Sequence, residues 1–251
     1  MTTTQDTRGE ILSQQELRQA IVQMCQLLYA KNMIFASDGN VSARWGDDRI
    51  IATPSGVPKG LLTPEELVVT DMGGVMIQGM SPRGLVPSAE LRLHLEVYRQ
   101  RPDVRAVVHA HPPITTALSI AGVSLAPCVV PETLVTVGQI VTADYATPSS
   151  EQGPRVIHDL IVDHDALVLD RHGAVAVGPT PMKAYMRMEK VENTAQVIHL
   201  ALSVLERNRR VPPTLPLAEV RKLSALRDEM LGPDRGFLGP DCGRCGACEG
   251  L

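Results

Sequence analysis

The chain has 251 residues, a length that suits one domain, or one domain with an extended tail. An apolar share of 44% can fill a sizeable core, but with only 3% aromatic residues that core has to be aliphatic. A net charge of −4 without a basic stripe argues against nucleic acid as a partner, and no run reaches the roughly 18 apolar residues of a membrane span.

Residues 1–12 are polar and expected to be a disordered N-terminal segment, with no apolar stretch of the kind a secretory signal needs. Ser13-Gln14-Gln15-Glu16 is a capping box. Leu17, Ile21, Met24 and Leu28 follow at helical spacing, so a first helix should run to about Lys31-Asn32. Short strands are expected at 41–44, 49–52, 67–70 and 75–77, because Asp38-Gly39-Asn40, Gly46-Asp47-Asp48 and Gly73-Gly74 separate the apolar runs with turn chemistry. A helix from about Ser88 carries Leu91, Leu95 and Tyr98 before Pro102. A strand at 104–111, a helix at 115–120, a strand at 139–143 and a helix at about 151–162 come next. Strands at 166–170 and 174–178 bracket His172, and Pro181 opens a long helix to about Leu205. Past Arg210 the chain is Pro-rich, with one short helix at 217–230 and a Gly/Cys-rich end. Strand pairs mingled with helices imply an α/β fold, a mixed and largely antiparallel sheet flanked by helices.

Chemistry concentrates in two short islands, His109-Ala110-His111-Pro112 and Arg171-His172-Gly173. Side chains alternate along a strand, so H-x-H at a strand end sets both imidazoles on one face. A third imidazole ending another apolar run would close a three-histidine divalent-metal site with an open position, which a Lewis acid needs to grip a substrate oxygen. H-x-H alone also arises by chance, and a single strand histidine is usually a core or surface residue. The context favours a metal: Pro112 and Pro113 stop the strand where a functional loop would begin, and Gly173 permits close backbone approach.

Five motifs occur in order: Gly39-Asn40-Val41-Ser42, Thr53-Pro54-Ser55-Gly56, Pro87-Ser88-Ala89-Glu90, His109-Ala110-His111-Pro112 and His172-Gly173. Any one is weak; together they resemble the class II aldolase/adducin family over about residues 13–205. The resemblance implies a single-domain α/β/α sandwich around a mixed, mostly antiparallel sheet, with a catalytic domain at 13–210 and a C-terminal extension at 211–251. It implies His109, His111 and His172 as metal ligands, and Glu90 as the acid/base carboxylate that also approaches the metal before substrate arrives. A carboxylate beside a divalent cation stays ionised, and a place in the first turn of a helix favours the anion further. Zn²⁺ is the implied cofactor, though Mn²⁺, Co²⁺ or Fe²⁺ suit the same ligands.

Gly39, Asn40, Ser55, Gly56 and Ser88 match the family's phosphate pocket, with Ser37 as a further hydroxyl; singly, such residues are ordinary turn chemistry. The implied reaction is cleavage of a ketose 1-phosphate type of sugar phosphate to dihydroxyacetone phosphate and an aldehyde, through a metal-stabilised ene-diolate. A dehydratase, a 4-epimerase and a metal-dependent decarboxylase share the scaffold, and a non-catalytic adducin-like interaction module is the rival of another class. Two departures bear on specificity: Ala89 stands where the L-fuculose-1-phosphate aldolase has a second serine, and segment 125–132 lacks that enzyme's product-protonating tyrosine. Glu132 or Tyr145 are the substitutes this chain offers.

Five cysteines, an odd number, fit a reducing, cytoplasmic setting better than a disulfide framework. Cys242, Cys245 and Cys248 supply three thiolates, one short of a closed zinc site, and read as a reduced tail. His94, His158, His164 and His199 read as structural or solvated. The family resemblance further implies a cyclic homotetramer, and the helix from Pro181 carries apolar residues on more than one face, wider than its own core requires.

Overall fold

Three of the strands are apolar on both faces, which calls for a sheet covered on both sides rather than one with a wet face. The computed structural model describes residues 12–77, 81–82, 84–208 and 214–231. It contains β1 (Asn40–Trp45), β2 (Arg49–Ala52), β3 (Val68–Asp71), β4 (Ala106–Ala110), β5 (Val141–Ala143), β6 (Ala166–Leu169) and β7 (Gly173–Gly178). They form one seven-stranded sheet in the order β3-β2-β1-β4-β7-β6-β5. All pairings are antiparallel except β5 with β6. The fold is the expected α/β type with a mixed, mostly antiparallel sheet.

On one face Val41, Ala43, Ala106, Val108, Ala174 and Ala176 pack under α1 (Gln14–Ala30), α3 (Pro113–Ile120) and α7 (Pro181–Asn208). On the other, Val107, Leu167, Val175 and Val177 meet α2 (Leu91–Gln100), α5 (Gln152–Ile157) and α6 (Leu160–Asp163). The core is aliphatic, each fully buried Val, Leu or Ile contributing about 1.5–3 kcal/mol. Alanines at the crossing of β4, β7 and α7 let that helix lie close on the sheet. The capping box of α1 is present: the Glu16 N–H donates to Ser13 Oγ, and the Ser13 N–H donates to the Glu16 carboxylate at 2.8 Å.

Several boundaries differ from the sequence expectation. The strand at 75–77 is reduced to an isolated bridge between Thr70 and Met76, because Asp71 Oδ1 accepts from the Gly73 and Val75 amides and draws the chain into a turn. The helix expected from Ser88 begins at Leu91, which leaves Glu90 at its N-cap rather than in its first turn. The helix expected at 151–162 is split, since the His158 N–H bonds back three residues to Arg155 and tightens the chain there. The strand at 139–143 keeps only Val141–Ala143. A six-residue helix, α4 (Pro131–Thr136), was too short for periodicity to reveal, although Pro131 and Glu132 are good first-turn residues. Residues 1–11 and the three tail cysteines lie outside the described residues, among which no helix is long and apolar enough to cross a membrane.

The helix α8 (Leu217–Leu231) is fastened to the domain in two ways. Val220 packs with Cys128 and Leu134, and Arg227 reaches Asp165, which is 3% exposed. Asp165 also pairs with Arg101 at 3.0 Å and Arg187 at 2.7 Å, so one buried carboxylate joins α2's end, α7 and α8. Removing that carboxylate takes away the buried anion that Arg101, Arg187 and Arg227 share, Arg101 keeping its pair with Asp103. Asp165→Ala should therefore lower stability by about 3–5 kcal/mol in urea unfolding, and a loss under about 1 kcal/mol would contradict this role.

Candidate metal centre

The site lies at the end of the sheet where β4 finishes and β7 begins. His109 is the next-to-last residue of β4, opposite Asn40 of β1 on one side and Val175 of β7 on the other. His111 follows just beyond the strand, its N–H bound to the Met33 carbonyl at 2.8 Å, before Pro112 and Pro113 start α3. His172 closes the tight β6–β7 turn, in which Arg171 holds a φ of 58° while its N–H donates to Ser119 Oγ. Glycine is required next: a Cβ on Gly173 would stand 2.3 Å from the Ala110 carbonyl oxygen. Gly39 is equally constrained, with φ +68° and a virtual Cβ 2.9 Å from the His109 carbonyl oxygen.

Glu90 enters from the α2 N-cap. Its Oε2 is 3.1 Å from His109 Nε2 and its Oε1 is 3.4 Å from His172 Nε2. His111 Nε2 stands 3.1 Å from His109 Nε2, and the four donor atoms all lie within 4.8 Å of one another. The Ala174 carbonyl sits 2.9 Å from His109 Nδ1 and can only accept, so Nδ1 carries a proton, and in the neutral ring the Nε2 lone pair faces the cluster. Burial, helped by the charge of His109, pushes the pKa of His111 down to about 3 and that of His172 to about 4. Both are neutral at pH 7. Burial alone would raise Glu90, but contact with His109 and the charge of the imidazoles outweigh it and hold the carboxyl at about 2. Inward-facing imidazole lone pairs and one carboxylate are a donor set that suits a divalent cation.

Around the cluster the expected residues divide. Asn40 Nδ2 donates to Ser88 Oγ and to Glu90 Oε2, each at 3.4 Å, and the Glu90 N–H donates to Ser88 Oγ at 3.3 Å. Ser55 and Gly56 lie in the turn after β2, which is tied to the Ser88 segment by the Ser55 N–H on the Val86 carbonyl and by the Pro54–Pro87 bridge. The Ser37 carbonyl accepts from Lys59. An open cleft adjoins the cluster, lined by Glu90 and His172 together with Arg92, Asp144, Thr147 and Asp170. Exposed Tyr145 stands between two residues that line it, whereas α4, which carries Glu132, packs against α8.

His94, expected to be structural or solvated, is a structural neighbour of the site. It is fully buried, its Nδ1 is 2.7 Å from Ser42 Oγ, and Ser42 Oγ is 2.8 Å from Tyr98 OH. Burial, with the charge of His109, pushes its pKa down to about 3. The signal was available: His94 is four residues after Glu90 and shares its helix face.

A mixed sheet covered by helices on both faces, with histidines from β4 and the β6–β7 turn meeting a helix N-cap glutamate, is a class II aldolase architecture. Residues 19–199 match the family described as Class II Aldolase and Adducin N-terminal domain, and the chain belongs to it. The chain is 33% identical over 182 residues to an L-fuculose phosphate aldolase of Methanococcus vannielii, covering 72% of this chain and 95% of that protein. It is 29% identical over 191 residues to the 3-oxo-tetronate 4-phosphate decarboxylase of Escherichia coli, covering 74% and 88%. Among solved structures, the L-fuculose-1-phosphate aldolase from Thermus thermophilus superposes with a TM-score of 0.63 at 31% identity, covering 79% of this chain and 98% of that one. YgbL from Klebsiella pneumoniae, a candidate aldolase, epimerase or decarboxylase, gives 0.74 at 29% identity, covering 84% and 99%.

If the four donors hold a cation, His109→Ala should strip it. Elemental analysis of protein purified without chelator is expected to fall from about one metal per subunit to near zero; an unchanged content would move the site elsewhere.

Proposed function

We propose that this protein is a divalent-metal-dependent lyase, an aldolase that cleaves a ketose 1-phosphate type of sugar phosphate to dihydroxyacetone phosphate and an aldehyde. The observation that carries the reading is the convergence of His109, His111, His172 and Glu90, of which Glu90 and His172 line an open cleft. The three histidines are the proposed ligands, with zinc the first choice and Mn²⁺, Co²⁺ or Fe²⁺ suited to the same atoms. A bound cation would supply Lewis acidity for a substrate carbonyl and its neighbouring hydroxyl.

Glu90 is the group positioned to move the proton at carbon. It is ionised, oriented by Asn40 Nδ2, and beside both His109 and His172. Gly39, Asn40, Ser55, Gly56 and Ser88 are proposed to bind the phosphate, a role supported by the hydrogen bonds that gather Asn40 and Ser88 beside Glu90. For the leaving aldehyde neither substitute lines the cleft: Tyr145 lies between lining residues Asp144 and Ala146, and Glu132 is on α4. Decarboxylation of a phosphorylated 3-oxo acid is the second reading, favoured by the tetronate-phosphate relative and by a 125–132 segment without tyrosine.

The test uses the zinc-loaded protein with a panel of ketose 1-phosphates, released dihydroxyacetone phosphate being followed through a coupled reductase. Turnover is expected, and Glu90→Gln should lower it by about 10²–10⁴-fold while the histidines retain the metal. Release of carbon dioxide from a 3-oxo acid phosphate without any aldol cleavage would replace the first reading by the second. No turnover in either assay, with metal bound, would sink both.

A cyclic homotetramer and a cytoplasmic setting belong to the same proposal. On α7, Met186, Val197, Leu200 and Val204 are exposed, which supports a partner on that helix. Light scattering should give about four times the chain mass of 27.1 kDa. A mass near 27.1 kDa at micromolar concentration would end the tetramer.

A further inference from the structure

Lys59 is 1% exposed, yet it lies on no catalytic motif and touches no carboxylate in the described residues. Its Nζ donates to the carbonyls of Ser37 at 3.0 Å, Pro54 at 3.0 Å and Val57 at 2.9 Å. A carbonyl can only accept, and three acceptors need three N–H groups, so the side chain is the ammonium and not the amine. Its own N–H adds a fourth tie, to the Ala36 carbonyl at 3.1 Å.

These contacts join two turns that flank the β1–β2 pair. One runs into β1 and carries Ser37, Gly39 and Asn40; the other leaves β2 and carries Ser55 and Gly56. Asn40 pairs with His109, so both turns stand at the site end of the sheet. Three carbonyl dipoles solvate the ammonium but leave its unit charge uncancelled. Burial pushes its pKa below the usual lysine value, and the ionisable groups that act on it in the opposite sense are Cys25 and Asp38. Burial pushes the Cys25 thiol up to about 12, so it is neutral, and the Asp38 side chain is 57% exposed and screened by water.

We infer that Lys59 is a positioning residue for the phosphate end of the substrate: it fixes the two turns against each other and sets one buried positive charge beneath them. The inference rests on the proposed reading that the substrate carries a phosphate. A phosphate monoester is close to a dianion at neutral pH, and a cation held in a low-dielectric wall attracts it more strongly than an exposed lysine would.

The experiment is calorimetric titration of the metal-loaded full chain with two probes, inorganic phosphate and acetohydroxamate, an uncharged chelator that reads the metal alone. Lys59→Met should weaken phosphate binding by about tenfold, equivalent to about 1.4 kcal/mol, and leave hydroxamate binding and metal content unchanged. Lys59→Arg should restore most of the phosphate affinity. Equal phosphate affinity in wild type and Lys59→Met would overturn the inference, as would a parallel fall for both probes, the mark of a merely structural lysine.

A wild type that binds hydroxamate but no phosphate would overturn both this role and the phosphorylated-substrate reading. Phosphate binding unaffected by Lys59→Met would leave that reading intact. Should the variants fail to fold, ammonium-selective NMR of the wild type replaces them. The buried ammonium should give a slowly exchanging signal that moves with phosphate and not with hydroxamate; a signal indifferent to saturating phosphate would refute the role.

Discussion

The seam between β4 and β7 is the constraint on which the site depends. Along it His109 pairs with Val175 and Ala110 with Ala174, and the Ala174 carbonyl that belongs to this seam also accepts a hydrogen bond from His109 Nδ1–H. One backbone oxygen thus fixes the tautomer and the tilt of the central imidazole. The same seam brings Gly173 so near Ala110 that no side chain fits, and this places His172, one residue earlier, over the end of β4. His111 is set by the same strand two residues on. Three imidazoles whose ring centres lie 4.8–4.9 Å apart follow from strand pairing rather than from any contact among the rings.

Buried charge is handled in two different ways on either side of that seam. Asp165 is surrounded by arginines from three parts of the chain, and the ion pairs hold the ends of α2, α7 and α8 together. Lys59 has no carboxylate and is solvated by carbonyls, so its positive charge persists at the site end of the sheet. The first arrangement cancels a charge for the sake of assembly. The second preserves one where an anion would arrive. Glu90 completes the picture as a carboxylate held ionised among imidazoles, with Asn40 and Ser88 fixing its approach.

The sequence alone determined most element types of the chain and the histidine islands, while the family resemblance added Glu90. Apolar runs ending at His109 and before His172 named the strands, and the turn glycines and prolines named their ends, because local sterics and burial act within a few residues. The structure decided where these pieces meet. That β1 and not β6 lies beside β4 depends on long-range burial, which no local pattern encodes. Glu90's place at an N-cap rather than inside a helix, the loss of the 75–77 strand to the Asp71 turn, and the break at His158 were likewise settled by hydrogen bonds to particular partners. The burial of Lys59 was invisible for the same reason. A lysine looks solvated in any sequence, and only when three distant carbonyls converge on its nitrogen does burying the charge become cheaper than hydrating it.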